Sequence, residues 1–408
     1  MDVKNLEASN AETTKPKATK AKTTRARTIK TGTRKTTSKA AEAKNAAELA
    51  ELLRLMLVTK ASDLHLKVGK SPVLRINGRL DTYSELPEMT EANMRAAFEV
   101  MTTEEQRETF ARDLELDFAY MVEDVGRFRV NAHLVGGTIG LVLRAVATEM
   151  ATTEELGLPE VCRTLINHPH GLVAVTGPTG SGKSTTLASM IDYLNKNESR
   201  KVITIEDPIE YLHRDDKCVF CQRELGFDTR SFAGGLKAAL RQDLDVILVG
   251  EMRDGDTAAA ALTAAETGHL VLTTLQTAGA CRAVERIIDM FPPHQQHQAR
   301  VQLAMSLQGV LYQVLIPTAD GTSRVPAVEV LLANAAVRNL IREGKTYQLP
   351  SILQTGSQLG MQNLDHALID LVGRHVISEE DALARCDNIQ EMRAMLTKVP
   401  RQRRMPFG

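Results

Sequence analysis

The sequence lacks a long apolar run: nothing in its 408 residues approaches the roughly 18 consecutive apolar positions that a membrane-spanning helix needs. Its opening, MDVKNLEASN, has no apolar core of the kind a signal peptide requires. Cysteine is also scarce. Five thiols, an odd number in a long chain, do not describe a disulfide framework and suit a reducing compartment. Cys218 and Cys221 form one CxxC, half of a zinc site, but no second pair follows and four ligands are normally wanted, so they read as incidental thiols. No repeat stands out at a fixed period. These absences predict a soluble, cytoplasmic protein.

What is present is unevenly distributed. The formal charge is −1, yet residues 1–45 hold twelve Lys or Arg against four Asp or Glu, leaving 38 basic against 47 acidic residues in the rest. The stretch TTKPKATKAKTTRARTIKTGTRKTTSKAA has few apolar side chains and no aromatics. It cannot bury enough surface to offset the entropy of ordering it, so residues 1–45 are expected to form a disordered basic tail. Such a tail can contact anionic lipid, nucleic acid or an acidic partner, or can be a solvated extension with no specific partner.

The body, 43% hydrophobic across the whole chain, is long enough for two or three domains. From about residue 46, AAELAELLRLMLVTK reads as an amphipathic helix. Short strands follow at SDLHLKV, SPVLRING and RLDTYSEL, then helices around EANMRAAFEVM and EEQRETFARDL, then strands at LELDFAYMV, GRFRVNAHLV and GTIGLVLRAV. This predicts an α+β domain over 46–147 and a connector over 148–160. A second domain, 161–400, alternates apolar strands (LVAVT, KVITIE, DVILVG, HLVLTT) with helices, the pattern of a parallel sheet covered on both faces. VPAVEVLL adds a further strand, and the remainder to about residue 396 reads as helical.

The chemistry is concentrated in the second domain. GPTGSGKST, residues 177–185, satisfies GxxxxGK[ST] after an apolar strand and before a helix. Glycines let successive N–H groups turn inward around a phosphate chain, and the helix aims its positive end at the same place. The loop therefore assigns phosphate binding to Gly177, Pro178, Thr179, Gly180, Ser181, Gly182, Lys183, Ser184 and Thr185. Lys183 reaches the β- and γ-phosphates of such a nucleotide, and the Ser184 hydroxyl ligates Mg²⁺. DVILVGE ends an apolar strand with Glu251, placed to activate an attacking water as catalytic base. ITIEDPIEYLH supplies Glu206, Asp207 and Glu210, carboxylates that can hold Mg²⁺ through water or position the nucleophile.

Four segments, TGPTGSGKSTT, ITIEDPIEYLH, DVILVGEMRD and TAAETGHLVLTTLQT, occur in an order that resembles the secretion ATPases of the type II and type IV pilus superfamily. Within it the chain is most similar to the PilT/PilU retraction branch. SDLHLKVGKSPVLRINGRL, GRFRVNAHLVGG and AVRNLIREGKTYQL extend the resemblance from about residue 50 nearly to the end. The chain has neither the long extra N-terminal domains nor the tetracysteine module usual in the assembly ATPases, and VRNLIRE resembles a C-terminal signature associated with retraction. The resemblance implies a PAS-like N-terminal α+β domain, a RecA-like P-loop ATPase domain with C-terminal helices, and a homohexamer with ATP between domains. It places Glu206 in the Asp box, Glu251 in the Walker B strand and His269 in the His box, and offers Arg127, Arg129 and Arg144 as arginines that approach the phosphates. It also implies an inner-membrane platform protein as partner, a sister retraction ATPase as a possible second one, and peripheral attachment at the inner membrane. A helix within 333–344 is expected to serve retraction rather than hydrolysis.

The chain departs from the family at Thr274-Leu275-Gln276-Thr277, where TLHT is common. Gln276 can hydrogen-bond but cannot carry a proton's charge. Leu244 stands where a proline is frequent. Beside a retraction motor, three readings stay open: an accessory ATP-binding subunit, favoured by Gln276; an assembly or type II secretion ATPase; and a nucleic-acid translocase using the basic tail.

Overall fold

The computed structural model describes residues 33–398 apart from residue 77, with side chains from residue 45 onward. The first helix, α1 (Thr33–Val58), starts inside the segment expected to be tail. The Ala-rich run SKAAEAKNAAELAELL has high helix propensity, which outweighs its polarity. Residues 1–32 of the expected tail lie outside the described residues.

The α1 helix buries Leu49, Leu53 and Met56, spaced four and three apart so that they share one face. That face lies on an antiparallel sheet formed by β1 (Asp63–Leu66), β2 (Val73–Ile76), β3 (Arg79–Thr82), β4 (Glu115–Val122), β5 (Gly126–Val135) and β6 (Thr138–Ala145), in the order β3-β2-β1-β6-β5-β4. The helices α2 (Glu91–Met101) and α3 (Glu104–Asp113) are both opened by capping boxes, at Thr90 and Thr103. Met94, Phe98 and Phe110 join Phe118, Phe128 and Leu141 in one core. Each large side chain enclosed there contributes about 1.5–3 kcal/mol relative to exposure.

A short helix, α4 (Val161–Ile166), leads into the second sheet, whose strands are β7 (Gly171–Thr176), β8 (Lys201–Glu206), β9 (Val219–Glu224), β10 (Val246–Val249), β11 (Leu270–Leu275), β12 (Leu307–Pro317) and β13 (Arg324–Leu332). Their order is β13-β12-β7-β11-β10-β8-β9, parallel throughout except for β13. Every residue of β7, β10 and β11 is buried, as a sheet covered on both faces requires. The covering helices are α5 (Lys183–Asn197), α6 (Phe232–Ala239), α7 (Gly255–Glu266), α8 (Ala280–Asp289) and α9 (Gln296–Ser306). Beyond the sheet come α10 (Ala335–Arg342), α11 (Leu349–Thr355), α12 (Leu364–Gly373), α13 (Glu379–Arg385) and α14 (Ile389–Leu396). Strands β9 and β12 have no counterpart in the sequence reading. No helix among the described residues is long and apolar enough to cross a membrane.

Candidate functional site

Four parallel strands deliver the site. The chain leaves β7 at Thr176, turns through residues 177–182 and enters α5 from Gly182, whose φ of 86° is open to glycine at little cost. Register aligns Thr176 with Leu275 of β11, and Val249 with Thr273, so the ends of β7, β11 and β10 lie side by side. Glu206 ends β8 in the same row, beside Val249 through its neighbour Ile205. The parallel sheet thus turns four separate segments into one cleft of about 400 Å³, walled by Lys183, Ser184, Glu206, Glu251, Gln276 and Arg324 among others.

Hydroxyls bind the loops to one another. Thr176 Oγ1 lies 2.7 Å from Thr277 Oγ1 and accepts from the Thr277 amide at 3.0 Å, fastening the phosphate loop to the turn after β11. Thr274 Oγ1 donates to the Gly250 carbonyl at 2.6 Å, fastening the end of β11 to the residue before Glu251. Thr185 and Tyr211 share a 2.8 Å hydroxyl contact across the first turn of α5.

The carboxylates are held differently. One oxygen of Glu251 accepts from Gln276 Nε2 at 2.8 Å, and the other accepts from Arg253 Nε at 2.8 Å with Nη2 at 2.7 Å. Arg253 also reaches Asp207 at 3.7 Å. Glu206 accepts from Thr204 Oγ1 at 2.7 Å and Gln222 Nε2 at 3.2 Å. Burial nevertheless pushes its pKa up to about 7, against those two bonds. Lys183 donates to the Gly177 and Pro178 carbonyls at 3.0 and 2.9 Å; burial draws its pKa down, opposed by Glu251 and Glu210.

The loop fits a phosphate chain. Ser181 Oγ is buried with no hydrogen-bond partner, and a Cβ at Gly177 would lie 2.3 Å from the Gln313 carbonyl oxygen, so only glycine closes the turn there. The donors around it also suit Mg²⁺: the Ser184 hydroxyl and the Glu206, Asp207 and Glu251 carboxylates are hard oxygens. Among the described residues no three His, Cys, Asp or Glu side chains converge on a metal by themselves. A cation there would draw its remaining ligands from phosphate and water, as Mg²⁺ prefers.

Four sequence-derived candidates stand elsewhere in this chain. His269 precedes β11, and its carbonyl accepts from the Gly171 amide at 3.0 Å, at the start of β7. The phosphate loop follows the other end of that strand, roughly 20 Å away at about 3.3 Å per residue. Its Nδ1 lies 3.1 Å from the Ala264 carbonyl. Arg127 donates to Glu224 at 2.6 Å, an ion pair between the two sheets' units, because Glu224 ends β9 facing β5. Arg144 is taken by the buried Asp63, its register partner, at 2.7 Å. Arg129 is exposed, directly opposite Arg144. None of the four lines the cleft. Conversely, Arg253, Arg324 and Gln313 stand at the site without having been singled out. Gln313 left a signal: it is a lone amide inside the apolar run VLYQVLI.

A strand-loop-helix phosphate loop, a carboxylate at the end of a nearby parallel strand and a polar residue bonded to that carboxylate define a P-loop nucleotide-binding protein. The chain belongs to the type II/IV secretion system protein family, whose model matches residues 39–391, and is of the PilT/PilU type within it. It is 46% identical over 335 residues to the Pseudomonas aeruginosa type IV pilus retraction ATPase PilT, covering 82% of this chain and 97% of that one. To the type IV pilus ATPase PilU of the same organism it is 42% identical over 349 residues, 86% and 91% of the two chains. Among solved structures it resembles the pilus retraction motor PilT with bound ADP, with a TM-score of 0.77 at 43% identity, covering 85% of this chain and 98% of that one.

Proposed function

We propose that the protein is a homohexameric ATPase that couples ATP hydrolysis to retraction of type IV pili, and so to twitching motility. The observation that carries this reading is likeness to a retraction ATPase over nearly the whole of that relative, with Lys183 and Glu251 facing one cleft. The antiparallel first sheet, over 46–147, supports a PAS-like domain; residues 148–160 are its linker, and 161–400 a RecA-like motor with C-terminal helices. Its station is cytoplasmic, at the inner membrane, against a platform protein of the pilus machine. The tail is available for anionic lipid or nucleic acid.

In this reading the backbone N–H groups of residues 179–183, past the donor-less Pro178, and the Lys183 ammonium bind the phosphates. The Ser184 hydroxyl would hold Mg²⁺, which would supply charge neutralisation on the phosphate oxygens when bound. Glu251 accepts the proton of the attacking water, in competition with the Arg253 and Gln276 donors already on its carboxylate. Glu206 tunes the charge beside it. Closure around ATP favours one domain arrangement and phosphate release removes that preference. None of Arg127, Arg129, Arg144 and His269 acts on phosphate within its own chain's cleft, which none of them lines.

The test is steady-state ATPase activity of wild type, Glu251→Gln and Gln276→His. Wild-type turnover is expected, with a loss of about 10²- to 10⁴-fold in Glu251→Gln. Equal turnover in wild type and Glu251→Gln would sink the assignment of the base. A second reading, an accessory ATP-binding subunit beside a sister motor, is favoured by the Gln276 bond to Glu251. It predicts negligible wild-type turnover that Gln276→His restores. Introduction into a retraction-deficient strain distinguishes either from an assembly motor, which leaves twitching unrestored.

A further inference from the structure

We propose that Gln313 is a positioning residue of the nucleotide site, whose buried amide holds the phosphate loop in its receptive conformation. Strand β12 runs parallel to β7 with Tyr312 opposite Thr176, so Gln313 stands where the loop leaves the sheet. The residue is 2% exposed and both ends of its amide are engaged. Nε2 donates to the Ser181 carbonyl at 2.7 Å, and Oε1 accepts from the Thr186 hydroxyl at 2.7 Å. One rigid group therefore spans the loop and the first turn of α5.

The glycines of the loop are fitted to this strand as well as to a ligand. A Cβ on Gly182 would lie 2.9 Å from Gln313 Nε2, and one on Gly177 would strike the Gln313 backbone. Burial gives the bonds weight, since a Ser181 carbonyl left without its donor loses a partner it cannot replace with water. The loop then visits other conformations, and apparent affinity falls in proportion to the fraction that stays receptive.

Strand β12 contains an internal control. Gln308, at its other end, donates from Nε2 to the His170 carbonyl at 3.0 Å and accepts from Arg338, far from the loop. Removing that amide injures the same strand without touching the nucleotide site.

The proposal rests on the nucleotide reading above, and the experiment separates the two. A fluorescent ADP analogue is titrated into the full chain for wild type, Gln313→Met, Gln313→Glu and Gln308→Met, with a melting curve for each. The expected result is about tenfold weaker binding in both Gln313 variants, because Glu can accept from Thr186 but has no proton for Ser181, and binding within about twofold of wild type in Gln308→Met. Gln313→Met that stays folded and binds as wild type overturns the proposal, and so does equal weakening in Gln308→Met. If Gln313→Met does not fold, Thr186→Val removes the hydroxyl at the amide's other end; unchanged affinity there also overturns it. A wild type that binds no ADP fails the nucleotide reading itself.

Discussion

Glu206 holds its proton to an unusually high pH for a carboxylic acid, and that has a measurable sign. Burial raises its pKa from 4.5 to about 7 in the folded chain. Between those values the native state keeps a proton that the unfolded state has released. Its contribution to stability is therefore complete below pH 4.5 and is lost as pH rises through 7. Glu206→Gln is neutral throughout, so the nucleotide-free variant should gain stability relative to wild type from pH 4.5 to 7 and hold that gain above it. Urea titrations at several pH values check this; parallel curves for the two proteins would refute it. At this scale the sequence was informative where a motif fixes spacing: the phosphate loop, Glu206 and Glu251 meet at one cleft. It was silent on pairing. Nothing in TLQT says that Gln276 reaches Glu251, because that contact depends on β11 lying beside β10.

Among the elements, the short apolar strands bounded by glycine or acidic turns were legible, whereas β12 was not. Helix α9 ends at Ser306 and β12 begins at Leu307 with no glycine or proline between them, so the sequence carries no stop signal. The stop comes from elsewhere in the chain. Arg338 of α10 donates from Nη1 to the Ala304 and Met305 carbonyls, both at 2.8 Å, and from Nη2 to Gln308. It satisfies carbonyls of the last helical turn that have no intrahelical donor. The VRNLIRE segment is thus also the C-terminal cap of α9. Arg338→Ala should cost about 1–3 kcal/mol in urea unfolding, by freeing those carbonyls and removing a cation from a helix C-terminus. Arg338→Lys should recover only part of it, since an ammonium cannot present the same planar fork. A loss below about 0.5 kcal/mol in Arg338→Ala would mean that water caps α9 equally well.

For the whole molecule, the decisive contacts join the first sheet's unit to the second. Leu212 donates its amide to the Ala147 carbonyl at 2.9 Å, and the neighbouring Tyr211 touches Thr185 in the phosphate-loop helix. Arg127 and Glu224 close the same junction at 2.6 Å, only 17% and 8% exposed. Sequence reasoning offered Arg127 as a phosphate ligand, since no local pattern shows that a carboxylate 97 residues away will claim it. Removing one member of a buried pair strands the other charge, commonly at about 3–5 kcal/mol, whereas replacing both is close to neutral. Arg127→Ala should therefore loosen the junction, while Arg127→Gln combined with Glu224→Gln should hold it. The connector over 148–160 carries Glu149, Glu154, Glu155 and Glu160, so a glutamate-specific protease reports on its exposure. Cleavage there should quicken in Arg127→Ala and return toward the wild-type rate in the double variant. Equal rates in all three proteins would show that the Leu212–Ala147 hydrogen bond holds the two units together without the ion pair.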